Sequence, residues 1–272
     1  MIAGPGRRVQ RPCGGHGSTA AALHPLRAEE QTVTPDPIPA EDRVEAEGPV
    51  LPHALTRERL LDNSLDKMVG DAFGPQLLTA EQREASLAET LHLRPEGPVW
   101  LFGYGSLIWN PTIHYAESRV ARVEGWQRAF CLSTPVGRGT PEQPGLVLAL
   151  DAGGACEGVA FRIAEEVLAE ELSLIWRREM LTGAYIPRWL PLLDAEGQAY
   201  GHGIAFTVNR AGPQYADLPE DAVVQRLATA QGQLGSAAQY LFETHAGLRR
   251  LGIQDPFLDH LALRVAAAQK AG

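Results

Sequence analysis

The chain has 272 residues, a formal net charge of −9 and a pI near 5.4. That length suits one sizeable domain with extra segments, and the acidic balance argues against tracking a nucleic-acid backbone. No run of 18 or more apolar residues is present, so no membrane-spanning helix is expected.

Residues 1 to about 50 are rich in Gly, Pro, Ala and charge and almost free of aromatics. Such a segment buries too little apolar surface to offset its ordering entropy, so a disordered tail is expected over 1–50. Arg7, Arg8 and Arg11 have no apolar run behind them, so the segment does not read as a secretory signal. Over 51–97 the pattern turns helical: Leu60, Leu61, Leu65 and Met68 recur at helical spacing, and Thr79 opens a second helix carrying Leu87 and Leu91. This reads as a helical lead-in that packs on a main domain over 98–272.

In that domain, strands are predicted over 99–104, 120–132, 146–150 and 158–163, then a helix over 165–180 ended by Gly183. Segments 186–193 and 198–208 form a predicted hairpin around Asp194-Ala-Glu-Gly197. Three helices follow, over 220–234, 236–251 and 256–268. Strands come first and helices cluster late, which predicts an α+β fold with a mixed sheet or small barrel.

Two features carry chemistry. The first is the turn Phe102-Gly-Tyr-Gly-Ser-Leu-Ile-Trp109 after the apolar Val99-Trp-Leu101. Gly103 and Gly105 let a ligand approach the main chain closely, and such a turn can offer backbone N–H groups to an anion. Ile108 stands where a dinucleotide fingerprint needs its third glycine. It also stands where a nucleophile elbow around Ser106 needs its last. The second feature is Glu179. Leu168, Leu172 and Ile175 form one helical stripe, and Glu179 is the next position on it. A carboxylate there is costly to ionise, and the C-terminal helix dipole adds to that cost. Both effects raise its pKa toward the range useful for proton transfer. Pairing with Arg177 or Arg178 at a frayed helix end is the alternative. Tyr215, in the Gly212-Pro-Gln-Tyr215 loop, reads equally as a turn residue or a substrate contact. Trp109, Trp126 and Trp176 read as core. The eight histidines show no metal-ligand spacing, so no metal is expected. Cys13, Cys131 and Cys156 are odd in number and far apart, which suits a reducing cytoplasm.

Several blocks in order resemble the ChaC family of γ-glutamylcyclotransferases. They are Phe102-Gly-Tyr-Gly-Ser-Leu-Ile-Trp-Asn-Pro111, Val123-Glu-Gly-Trp-Gln-Arg-Ala-Phe-Cys-Leu132, Arg138-Gly-Thr, Gly158-Val-Ala-Phe-Arg162, Trp176-Arg-Arg-Glu-Met-Leu-Thr-Gly183 and Gln239-Tyr-Leu-Phe242. The resemblance is to the bacterial members and runs from about residue 98 to near the C-terminus. It implies a small mixed β-barrel with flanking helices. It also implies a cofactor-free, metal-free enzyme that releases 5-oxoproline and cysteinylglycine from glutathione. The implied substrate-binding residues are Leu101, Phe102, Gly103, Tyr104, Gly105, Ser106, Leu107 and Tyr215, with Glu179 catalytic. Two alternatives stand beside it: a cyclotransferase of other γ-glutamyl amines or amino acids, and a non-catalytic γ-glutamyl-binding module. Oligomeric state is left open, a monomer being compatible with everything in the sequence.

Overall fold

The sheet is a five-stranded closed barrel built almost entirely from long antiparallel ribbons. Its strands are β1 (Val99–Gly103), β2 (Glu117–Thr134), β3 (Gly145–Ile163), β4 (Tyr185–Leu193) and β5 (Ala199–Val208). They lie in the order β1-β3-β2-β4-β5, and parallel pairing of Trp100 with Gly203 and Leu101 with Ile204 closes the ring. The computed structural model describes residues 55–62 and 64–271. The disorder expected over 1–50 lies outside those residues, as does the side chain of Met68.

β3 departs from expectation. The segments over 146–150 and 158–163 are one strand, paired with β2 from Thr134↔Gly145 to Glu117↔Arg162. The Asp151-Ala-Gly-Gly-Ala155 stretch reads as a break because glycines interrupt the apolar alternation. Instead Gly153 and Gly154 take positive φ (127° and 55°) beside a register shift, opposite Gly125 at φ 78°. Glycine bulges of this kind bend a ribbon without ending it, and a barrel needs that bend.

Helices flank the barrel. The lead-in comprises α1 (Arg57–Leu61), α2 (Ser64–Phe73) and α3 (Ala80–His92). Thr79 opens α3 with a full capping box to Gln82, as its sequence position predicts. α4 (Leu168–Glu179) follows a short 3-10 turn over Glu165–Val167. The C-terminal helices are α5 (Glu220–Thr229), α6 (Ala237–Arg250) and α7 (Pro256–Ala271). α5 stops five residues earlier than its periodicity predicts. Residues 231–236 form a small hairpin, β6 (Gln231–Gly232) with β7 (Gly235–Ser236), that docks on the loop between β2 and β3. The Leu234 N–H donates to Gly137 O at 2.8 Å. That long-range contact overrides local helical propensity.

A buried carboxylate is among the ties between the lead-in and the barrel domain. Leu60, Leu65, Val69 and Phe73 pack against Leu174 of α4. Arg57 grips Glu171 with both arms, Nη1 to Oε2 at 2.6 Å and Nη2 to Oε1 at 2.9 Å. The Glu171 side chain is 1% exposed and also accepts the His114 N–H at 3.0 Å. Burial pushes its pKa up, but the hydrogen bonds from Arg57 and His114 and their charges outweigh it and hold the carboxyl below its ordinary range. Removing one partner of such a pair leaves a buried charge unanswered. Arg57→Met therefore lowers stability by about 3 kcal/mol, read as a fall in the urea midpoint at pH 7. A loss within experimental error would contradict this role.

Candidate active site

The turn after β1, the start of α6 and the end of α4 converge on one cavity of about 200 Å³. β1 is buried along its whole length, so Leu101 and Phe102 spend their side chains in the barrel core. The chain then leaves the sheet at Tyr104-Gly105 and enters a 3-10 turn over Ser106–Ile108. The opening N–H groups of such a turn have no partner within it. Both glycines are close-approach positions. A Cβ on Gly103 would lie 3.0 Å from Leu107 Cβ and from the Phe161 ring, and one on Gly105 would lie 2.7 Å from the Tyr240 hydroxyl.

Two buried arginines fix this turn. Arg128, on β2, donates from Nε to Tyr104 O at 2.7 Å and pairs with Asp255 ahead of α7. Arg178, on α4, donates from Nη2 to Ser106 Oγ at 2.8 Å and from Nη1 to Asn110 O at 2.6 Å and Thr112 Oγ1 at 3.0 Å. Its Nε lies 2.9 Å from Glu179 Oε1. Arg178 thus couples the turn to the carboxylate. Thr112 is the sole non-glycine residue at positive φ (59°) among the described residues, and it sits where Arg178 and Arg57 both bond it. Strain of that kind persists where surrounding contacts over-determine the backbone.

Glu179 is the last residue of α4, and its stripe mates Leu172 and Ile175 are fully buried. Its side chain keeps 14% exposure, toward the cavity. Burial raises its pKa above 4.5, and the opposing Arg178 charge and hydrogen bond only partly offset this. Tyr185 and Tyr240 line the same cavity. Their hydroxyls and that of Tyr104 are pushed up by burial first and by the Glu179 charge as well, Tyr240 to about 12. They stay protonated at neutral pH. The Tyr104 hydroxyl donates to Phe206 O at 2.7 Å, and the Tyr185 hydroxyl to Leu148 O at 3.1 Å.

A raised carboxyl pKa has a consequence for stability. Its favourable contribution is complete below the unfolded value near 4.5 and is lost as pH rises through the folded value. Glu179→Gln removes that loss. The parent therefore loses more stability between pH 4 and pH 8 than the variant does, whatever constant cost the variant bears for leaving the Arg178 charge unpaired. An equal or smaller loss in the parent over that range would reverse the sign.

Of the residues expected at the site, Ser106 and Glu179 line the cavity. Leu101, Phe102, Gly103, Tyr104, Gly105 and Leu107, on β1 and the turn after it, do not line it. Tyr215 stands apart: it bridges Leu132, and Arg210 lies over its ring at 5.5 Å. Its neighbour Gln214 lines the cavity instead. The lining also includes Tyr185, Tyr240 and Arg138, which spacing did not single out, and Arg178, expected only as a pairing partner of Glu179 and found paired with it. Tyr240, Arg138 and Arg178 fall inside the sequence blocks that carry the family resemblance. Among the described residues no group of three His, Cys, Asp or Glu side chains could hold a metal.

The model of the family described as "ChaC-like protein" matches residues 99–268. The chain belongs to the ChaC-like family. Among relatives of this ChaC-like chain, the glutathione-specific gamma-glutamylcyclotransferase of Escherichia coli K12 is 45% identical over 213 residues, covering 78% of this chain and 92% of that protein. The human glutathione-specific gamma-glutamylcyclotransferase 1 is 31% identical over 174 residues, covering 62% and 78%. The crystal structure of the glutathione-specific γ-glutamyl cyclotransferase from yeast superposes with a TM-score of 0.60 at 19% identity, covering 65% of this chain and 99% of that one. That likeness establishes the shared ChaC-like barrel. The family and the mixed barrel with flanking helices agree with the sequence expectation.

Proposed function

We infer that the chain is a glutathione-specific γ-glutamylcyclotransferase, releasing 5-oxoproline and cysteinylglycine. The observation that carries the reading is the joining of Glu179 to the Ser106 turn through Arg178, inside a cavity. The 45%-identical bacterial relative of that name supports it.

The reaction is an internal aminolysis. The substrate's α-amine attacks its own γ-carbonyl carbon, a C–N bond closes the five-membered lactam, and the bond to the cysteinyl nitrogen breaks. Atoms balance without water, oxidant or metal, so no cofactor is called for. Tethering does much of the work, since effective molarities of about 10⁵ M correspond to roughly 7 kcal/mol of barrier. What remains is proton traffic. An α-amine titrates near 8 and is mostly protonated at pH 7. Ionised Glu179 takes its proton, then returns one to the departing cysteinyl nitrogen. A carboxyl of raised pKa suits both steps. The N–H groups at Gly105–Leu107 hold the α-carboxylate or polarise the γ-carbonyl.

Localisation follows the chemistry, and we place the protein in the cytoplasm, where glutathione keeps thiols reduced. No helix among the described residues is long and apolar enough to cross a membrane. The deciding experiment is incubation with reduced glutathione and quantification of 5-oxoproline, beside a panel of γ-glutamyl amino acids. Turnover of glutathione alone is expected. Equal turnover of the panel would make the enzyme a broader cyclotransferase, and binding without turnover would make it a binding module.

A further inference from the structure

We propose that Arg138 seats the terminal glycyl carboxylate of the substrate and so sets the preference for a tripeptide over γ-glutamyl compounds that lack a remote anion. The proposal rests on the activity inferred above and concerns the same cavity.

Arg138 lies in the loop between β2 and β3. The loop is braced by close backbone contacts: Leu234 N–H bonds Gly137 O, and a Cβ on Gly232 would fall 2.4 Å from Gly137 O and 2.6 Å from Gly139 O. The side chain is therefore held in place from behind. The residue is 7% exposed, yet it lines the cavity. Its guanidinium sits over the rings of Trp109 at 5.9 Å and Tyr240 at 5.8 Å, which replace water on its faces. Nη1 donates only to neutral oxygens, Ser236 O at 3.3 Å and Gln239 Oε1 at 3.2 Å. Among the described residues no carboxylate forms an ion pair with it, although the Glu243 charge acts on it from farther away. A buried cation without a directly paired counter-charge is costly and is retained where something supplies one.

The cavity's charges divide cleanly. The charged side chains of its lining are Arg138, Arg178 and Glu179. Arg178 is already paired with Glu179 and bonded to the turn. Arg138 is the cation of the lining without an ion pair in contact, Glu243 acting on it only through its field. Glutathione carries two carboxylates. The α-carboxylate adjoins the reacting amine and must stay at the turn, beside Glu179. The glycyl carboxylate lies two residues beyond the γ-carbonyl, a reach of about 7 Å in extended chain. Tyr240 lines the same cavity beneath Arg138, and its hydroxyl feels the Glu179 charge and the opposing Arg138 charge.

The test compares 5-oxoproline release from glutathione and from its glycyl monoethyl ester, which keeps every atom of the reaction but loses the remote charge. The parent protein is expected to lose on the order of 10²-fold in kcat/KM on the ester, mainly through KM, as for a buried charge pair deprived of one partner. Arg138→Met is expected to bring glutathione down to the ester's level, collapsing the ratio to about one. Arg138→Lys keeps part of the preference, because it keeps the charge without the planar fork. Each ratio is internal to one protein, so partial unfolding scales both substrates together. Equal kcat/KM of the parent on both substrates overturns the assignment even if no variant folds. An unchanged ratio in Arg138→Met overturns it too. No 5-oxoproline from either substrate would instead overturn the activity itself, a result plainly different from an equal ratio.

Discussion

Glu179→Gln binds glutathione with near-parental affinity and releases 5-oxoproline on the order of 10³–10⁴-fold more slowly, the upper range for losing a positioned acid–base group. The loss reaches that range because one carboxyl serves both halves of the reaction, first as base to the α-ammonium and then as acid to the cysteinyl nitrogen. The substitution preserves shape. Glutamine can still accept from Arg178 Nε, which lies 2.9 Å from Oε1. KM should therefore hold while kcat falls, the pattern of an interaction needed in the transition state. The pH profile gives an independent reading. Burial raises the Glu179 pKa above 4.5, so the acid limb of kcat/KM in the parent lies above that value. Near-parental turnover in Glu179→Gln, or an acid limb at or below 4.5, would remove Glu179 from this role.

That the same residue is expected to lower stability at neutral pH and to carry turnover is one physical fact seen twice. The environment disfavours its ionised form, which costs folding free energy and places the proton affinity where the chemistry needs it. Arg178 limits the shift. It also makes the carboxylate and the Ser106 turn a single unit, so the two features first legible in the sequence are mechanically joined by the residue between them in the chain order, adjacent to Glu179.

What could be read from the sequence follows from what is local. The stripe Leu168, Leu172, Ile175 names the buried face of α4 by spacing alone, and Glu179 falls on it. The Thr79 capping box and the Asp194–Gly197 hairpin turn are likewise set by neighbours in sequence. Positions set by distant partners are not legible in this way. β3 runs through Gly153-Gly154 because β2 continues to pair with it. α5 ends at Thr229 because residues 231–236 dock against Gly137 and Gly139. The cavity wall drawn from Tyr185, Tyr240 and Arg138 unites the start of β4, α6 and the β2–β3 loop, and no periodicity links them. Tyr215 illustrates the converse: a loop tyrosine near the site in sequence order, whose ring lies beneath Arg210 rather than in the cavity.

Gly105→Ala is expected to raise KM for glutathione tenfold or more, and Gly105→Val further still. At the sequence level glycine here suggests unusual backbone angles. Whatever its backbone angles, space alone bars a side chain at this position. A Cβ at this position would come 2.7 Å from the Tyr240 hydroxyl, a separation real Cβ atoms essentially never show. The Tyr240 ring has little room to yield. It packs edge-on against Trp109 and Phe130, and Arg138 lies over its face. The alternative is displacement of the turn, which breaks the Ser106–Arg178 bond and misaims the N–H groups. A shift of about 1 Å in positioning groups can cost on the order of 10²-fold in rate. The clash identifies its own remedy. Tyr240→Phe removes the offending oxygen, so the double variant Gly105→Ala/Tyr240→Phe should recover binding relative to Gly105→Ala alone. The two substitutions are then non-additive, as contacting residues are. A double-mutant cycle in KM measures the coupling. Additive effects, or a Gly105→Ala protein with parental KM, would show that the turn and α6 do not meet at that hydroxyl.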